Sequence, residues 1–166
     1  MIRSSSLIFW LASIALVGCA AHTSTPAPPQ MLAQRTCAGL SDAAQQTPLL
    51  DASQVVGVHK LEYRDGNLVH WRPAGADVRI LAKEGQTAPW LHRVARCQQA
   101  RALAGLDASG AGSPLAVAGA KISVRQADGT FAIRIEADGR AEGREIQQRT
   151  DAWAAAHQQP DLAAQR

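Results

Sequence analysis

Lys121 to Glu136, "KISVRQADGTFAIRIE", is the stretch that leaves this chain least freedom. Ile122 and Val124 alternate with Lys121, Ser123 and Arg125. Phe131, Ile133 and Ile135 alternate with Ala132, Arg134 and Glu136. A period of two is that of a strand with one buried face. Asp128-Gly129 between the two runs suits the two-residue turn of a hairpin. The segment is therefore predicted to be a hairpin with one apolar and one wet face, and the apolar face needs a second layer over it.

The rest of the chain supplies that layer. "GQTAPW" (85–90) reads as a helix start, because Thr87 can cap and Pro89 is tolerated in a first turn. From there Trp90, Leu91, Val94, Ala95 and Cys97 fall toward one side of a helix that Gly105 stops. Asp138 is placed to cap a last helix, on which Ile146, Thr150, Trp153 and Ala154 share a face and Glu145 and Arg149 form an i,i+4 pair. Upstream, Leu40–Leu50 holds a short helix ended by Pro48, and Gln54–Tyr63 is rich in β-formers before an Asp65-Gly66 turn. Leu68–Arg72 is predicted as the returning strand and Asp77–Lys83 as a further one. The expected class is α+β: a small two-layer sandwich with an antiparallel or mixed sheet and two main helices. From Asp77 onward the order β-α-β-β-α resembles a ferredoxin-like split βαβ unit without its last strand. The strand at 55–63 can fill that edge, which makes the arrangement a permuted one. Residues 107–114, rich in glycine, read as a flexible loop.

The N-terminus has a different grammar. Arg3 precedes Leu7–Val17, eleven residues with a single hydroxyl. A spanning helix needs about 20 apolar residues, whereas this length and the preceding cation match a signal-peptide core. The run ends in "LVGC", Leu16 to Cys19, and the composition then turns to Ala, Thr, Ser and Pro. These four residues resemble the lipobox of bacterial lipoproteins. The resemblance implies that residues 1–18 are a signal peptide and that the Cys19 thiol is joined to diacylglycerol, with cleavage before it. Ala20, rather than Asp, implies sorting to the outer membrane, with the domain on its periplasmic face. "TAPWLHRVARCQQA" and "SPLAVAGAKISV" are similar to segments of uncharacterised Gram-negative lipoproteins, a likeness that implies no activity. Residues 19–36 are expected to be the lipidated end and a flexible linker, because Pro26, Pro28 and Pro29 and few large apolar side chains leave little to bury. Residues 37–157 then make one α+β domain and 158–166 a disordered tail.

In an oxidising compartment Cys37 and Cys97 are expected to pair as a disulfide. Past residue 18 the chain has sixteen Lys and Arg against fourteen Asp and Glu. They are interleaved along the sequence, so no basic stripe points to nucleic acid. No G-x-S-x-G, H-E-x-x-H or C-x-x-C motif is present, and the glycines at 105, 110 and 112 lack the Lys and Ser/Thr of a P-loop. His59 and His70 can approach across the first hairpin, whereas His92 and Cys97 point to different sides of one helix. Glu62, Asp65, Asp77 and Glu84 read as solvated acids at turns and strand ends. Trp71 is expected to be exposed, and Trp90 and Trp153 to pack in the core.

These features point away from an enzyme and from a cofactor or metal. They suggest a membrane-anchored module, attached through lipid, that meets an envelope protein or glycan. The alternative is soft-metal (copper-type) handling by Cys37, Cys97, His59 or His70. A hydrolase would need acids and histidines to converge in a cleft.

Overall fold

The computed structural model describes residues 28–64, 66, 70–107 and 109–157. The expected signal peptide at 1–18, Cys19 and the expected tail at 158–166 lie outside the described residues. The chain forms helix α1 (Pro29–Cys37), helix α2 (Asp42–Gln46), strands β1 (Val55–Arg64) and β2 (Trp71–Leu81), and helix α3 (Ala88–Leu103). Strands β3 (Lys121–Ala127) and β4 (Thr130–Glu136) and helix α4 (Arg140–His157) complete it.

The hairpin is the one expected. Ala127 faces Thr130 across a two-residue turn, with φ of +44° at Asp128 and +72° at Gly129. Positive φ at both central residues gives a turn whose twist matches that of the strands it joins. All neighbours in the sheet are antiparallel, in the order β1-β2-β4-β3. The β2–α3–β3 connection therefore leaves a gap that β4 enters, while β1 borders β2 on the outside. This is the ferredoxin-like order with the last strand moved to the front of the chain, so the permuted α+β sandwich is found.

Alternation builds the core. Ala76, Val78 and Ile80 of β2 lie in register with Ile135, Ile133 and Phe131 of β4. All are at most 1% exposed, and Leu91, Val94 and Ala95 of α3 and Ile146 of α4 close over them. Thr87 accepts from the Trp90 amide and starts α3 as expected. Trp90 and Trp153 pack at the edge of this core, and the Thr150 hydroxyl satisfies itself on the Ile146 carbonyl at 2.7 Å.

Four expectations are corrected. Residues 29–36 are helix, not linker: Pro29 sits in the first turn, and Ala33 and Cys37, four apart, are buried against α3. The two strands foreseen at 68–72 and 77–83 are one, β2, because Pro73 and Gly75 are absorbed at a bulge opposite Leu61 and Glu62. Gly75 has φ +150°, and a Cβ there would collide with the Ile135 carbonyl. Glycine lets β2 and β4 close together at that point. Asp138 does not cap α4; its carboxylate is held by Lys121 at 2.6 Å, and the Gly139 carbonyl accepts the first helical bond from Gly143. Residues 109–112 and 114–116 wind into two 3₁₀ turns, and Pro114 and Leu115 are buried.

Candidate functional site: the charged sheet face

Both long helices cover one face of the sheet. Val58 lies beside Val78 and packs on the core, and Lys60 on the same side reaches Asp151 of α4 at 2.8 Å. The residues in between point the other way, onto a face with no helix over it. Its central row is His59, Asp77, Arg134 and Ser123, in register across all four strands. The next row carries Arg79, Ala132 and Arg125.

Asp77 is the centre of this face. Although it projects from the helix-free side, it is 7% exposed. The long side chains of its neighbours roof it: Arg125 and Arg134 each place a guanidinium nitrogen 3.7 Å from Oδ2. Asp77 Oδ1 and Arg134 Nε are buried without a hydrogen-bond partner among the described residues. Buried polar atoms are nearly always paired, so these two leave unmet hydrogen-bonding capacity on this face. Arg79 is exposed and makes no ion pair among the described residues. Three arginines against one carboxylate leave a local excess of cation. Guanidinium forks suit carboxylate and phosphate oxygens.

The rim of the face is tied up internally. The Tyr63 hydroxyl donates to Glu136 at 2.6 Å, which raises the phenol's pKa above its usual value. Arg72 lies 5.9 Å over the Tyr63 ring and donates to the Asp138 carbonyl. The ion pair with Lys121 pulls the Asp138 carboxyl below the usual carboxylate range and pushes the Lys121 amine up.

The other sequence candidates do not converge. Cys37 and Cys97 form a disulfide with Cα atoms 4.7 Å apart. That uses both sulfurs that the soft-metal alternative needed as thiolates. His59 lies opposite Asp77, whereas His70 comes just before β2, seven residues or roughly 20 Å along the strand direction. His92 places Nε2 3.1 Å from the Ile122 carbonyl, on the β3 side of α3, and Cys97 turns toward α1. Among the described residues no three His, Cys, Asp or Glu side chains group as metal ligands, and no helix is long and apolar enough to cross a membrane. A cavity of about 410 Å³ lies between α3, α4 and the 3₁₀ turns. Its polar lining is committed to structure: Gln98 bridges the Leu49 amide and the Thr47 carbonyl, and Asp107 accepts from the Gly110 amide. The acids and histidines that a hydrolase would require are not brought together there. Trp71 is 62% exposed, as expected.

Sequence reasoning took Asp77 for a solvated acid at a strand end. It lies mid-strand and buried. The signal that could have found it is its i,i+2 spacing from Arg79 on the polar side of "DVRIL", one strand away from Arg134. No protein-family model, curated protein or solved structure matches the chain. What the architecture defines is a small, disulfide-pinned α+β domain with a cationic open sheet face.

Proposed function

We propose that this chain is a lipid-anchored periplasmic lipoprotein of the outer membrane that acts as a non-catalytic binding or envelope-maintenance module. The Cys19 thiol carries the anchor, and the helix-free sheet face meets an envelope protein or glycan bearing anionic groups. The observation that carries this reading is the Asp77–Arg79–Arg125–Arg134 group. A buried carboxylate lies 3.7 Å from the guanidinium groups of Arg125 and Arg134 on a face that no helix covers, Arg79 stands exposed beside them, and one carboxylate oxygen and one guanidinium nitrogen lack a hydrogen-bond partner among the described residues. Preorganised guanidinium groups lose little side-chain freedom when they bind. The lipobox supports the address, since several acyl chains on one residue hold a domain far more firmly than the reversible attachment of a single chain.

The test is photocrosslinking in cells, with a crosslinking amino acid at position 79 on the sheet face and at position 144 on α4. The reading expects a defined envelope protein or glycan from position 79, lost when Arg125 and Arg134 are changed to Glu, and little from position 144. Equal recovery from both positions, or none from position 79, overturns it.

A further inference from the structure

Along the sequence, acids and bases alternate; in space they do not. Helices α1 and α3 together carry Arg35, Arg93, Arg96 and Arg101 and no carboxylate. Helix α4, by contrast, balances its arginines with Glu142, Glu145 and Asp151. The α1–α3 pair also holds much of the exposed apolar bulk: Met31 43%, Leu32 57% and Leu103 47%, with Leu106 at 43% just beyond α3.

The disulfide and two further contacts fix how these residues are presented. Cys37 is joined to Cys97, Arg93 donates to the Ala38 carbonyl beyond the end of α1, and Leu32 shares a groove with Arg96 and Leu103. The two helices therefore run antiparallel. On α3, Ala95 faces the core, and Cys97 lies about 200° further round at 100° per residue. Thus α1 covers the side of α3 that faces away from the sheet. The result is an outer surface of arginines and aliphatic side chains, on the opposite side of the molecule from Asp77.

Where the chain enters this surface identifies its occupant. Helix α1 begins at Pro29, and the eight residues 20–27 separate Cys19 from Pro28. At about 3.5 Å per residue they span at most about 30 Å. Resting on the anchor reading above, we infer that the α1–α3 surface lies on the anionic phospholipid surface into which Cys19 is anchored. Leu32, Met31 and Leu103 enter the headgroup boundary, and Arg35 and Arg96 sit among the phosphates. Aliphatic tips combined with cations are the composition of surfaces that rest in a bilayer interface, and each cation adds attraction to anionic lipid. The docked orientation turns the sheet face away from the membrane, toward the periplasm.

The test uses the protein purified from its native membranes and reconstituted into vesicles. A fluorescent amino acid replaces exposed Leu32 in one form and exposed Arg79 in another, and brominated lipid serves as the quencher. In vesicles containing phosphatidylglycerol, position 32 is expected to be quenched strongly and position 79 hardly at all. Quenching at position 32 should fall at least about fivefold in phosphatidylcholine alone, in 0.5 M salt, or with Arg35→Glu and Arg96→Glu combined. Equal quenching at both positions, or none at position 32, overturns the docking. The mass of the same preparation reports the lipid on Cys19 separately. An anchored protein unquenched at position 32 refutes the docking alone, and an unlipidated protein quenched at position 32 refutes the anchor alone.

Discussion

Removing the Cys37–Cys97 bond is the perturbation whose size the structure states most clearly. The bond closes a loop with a sequence separation of 60 residues. On the chain-entropy treatment this restricts the unfolded chain by about 14 cal/mol/K, which is about 4 kcal/mol at 25 °C. Cys37 and Cys97 are 4% and 0% exposed, so changing both to Ala also loses packing in the same direction. Domains of this size are stable by roughly 5–15 kcal/mol, and the double variant should retain only part of that. The loss should also be local. Helix α1 has nine residues, fewer than the roughly 12–15 below which an isolated helix is marginal, and it packs chiefly on α3. Urea titration of the oxidised protein and the variant, followed by circular dichroism, measures the first effect. Native-state amide exchange measures the second, with α1 amides expected to lose protection before those of β2 and β4. A loss of under about 1 kcal/mol, or unchanged protection across α1, would refute the reasoning that the disulfide organises this helix.

Gly75→Ala should destabilise by about 2 kcal/mol or more, because φ of +150° and the Ile135 carbonyl both oppose a Cβ; thermal unfolding of the variant measures it. Asp138 has its pKa lowered by Lys121, so its contribution is present above the unfolded carboxylate pKa and is lost as pH falls through the lower folded value. Asp138→Asn should therefore lower stability slightly at neutral pH, leave it nearly unchanged at strongly acid pH, and so flatten the acid limb of the stability–pH curve. Tyr63 has the opposite sense. Its raised pKa gives a contribution present below the unfolded phenol's pKa and lost at alkaline pH, so Tyr63→Phe should flatten the alkaline limb.

The parts of the fold that were legible in the sequence are those governed by local rules. The β3–β4 hairpin follows from alternation and Asp128-Gly129, and α3 follows from Thr87, Pro89 and the spacing of Leu91, Val94 and Ala95. The illegible parts depend on partners distant in sequence. Helix α1 has little apolar bulk of its own, and its order comes from a covalent bond to α3 sixty residues away. Strand β2 looks interrupted at Pro73 and Gly75, yet the bulge against β1 and the close approach of β4 carry it through. Asp138 reads as a cap until the fold brings Lys121 beside it. The candidate site follows the same division. Arg79, Arg125 and Arg134 are visible as polar positions of strands, but the meeting of Arg125 and Arg134 at Asp77 is set by strand order, which alternation does not specify.

The fate of Cys19 decides where this domain is held. Intact mass and peptide sequencing of the protein extracted from native membranes test it directly. A first peptide beginning at Cys19, heavier by a diacylglyceryl group with or without an amide-linked acyl chain, is the expected result. A first peptide that begins at Met1, or contains Cys19 as an internal unmodified thiol, would contradict it.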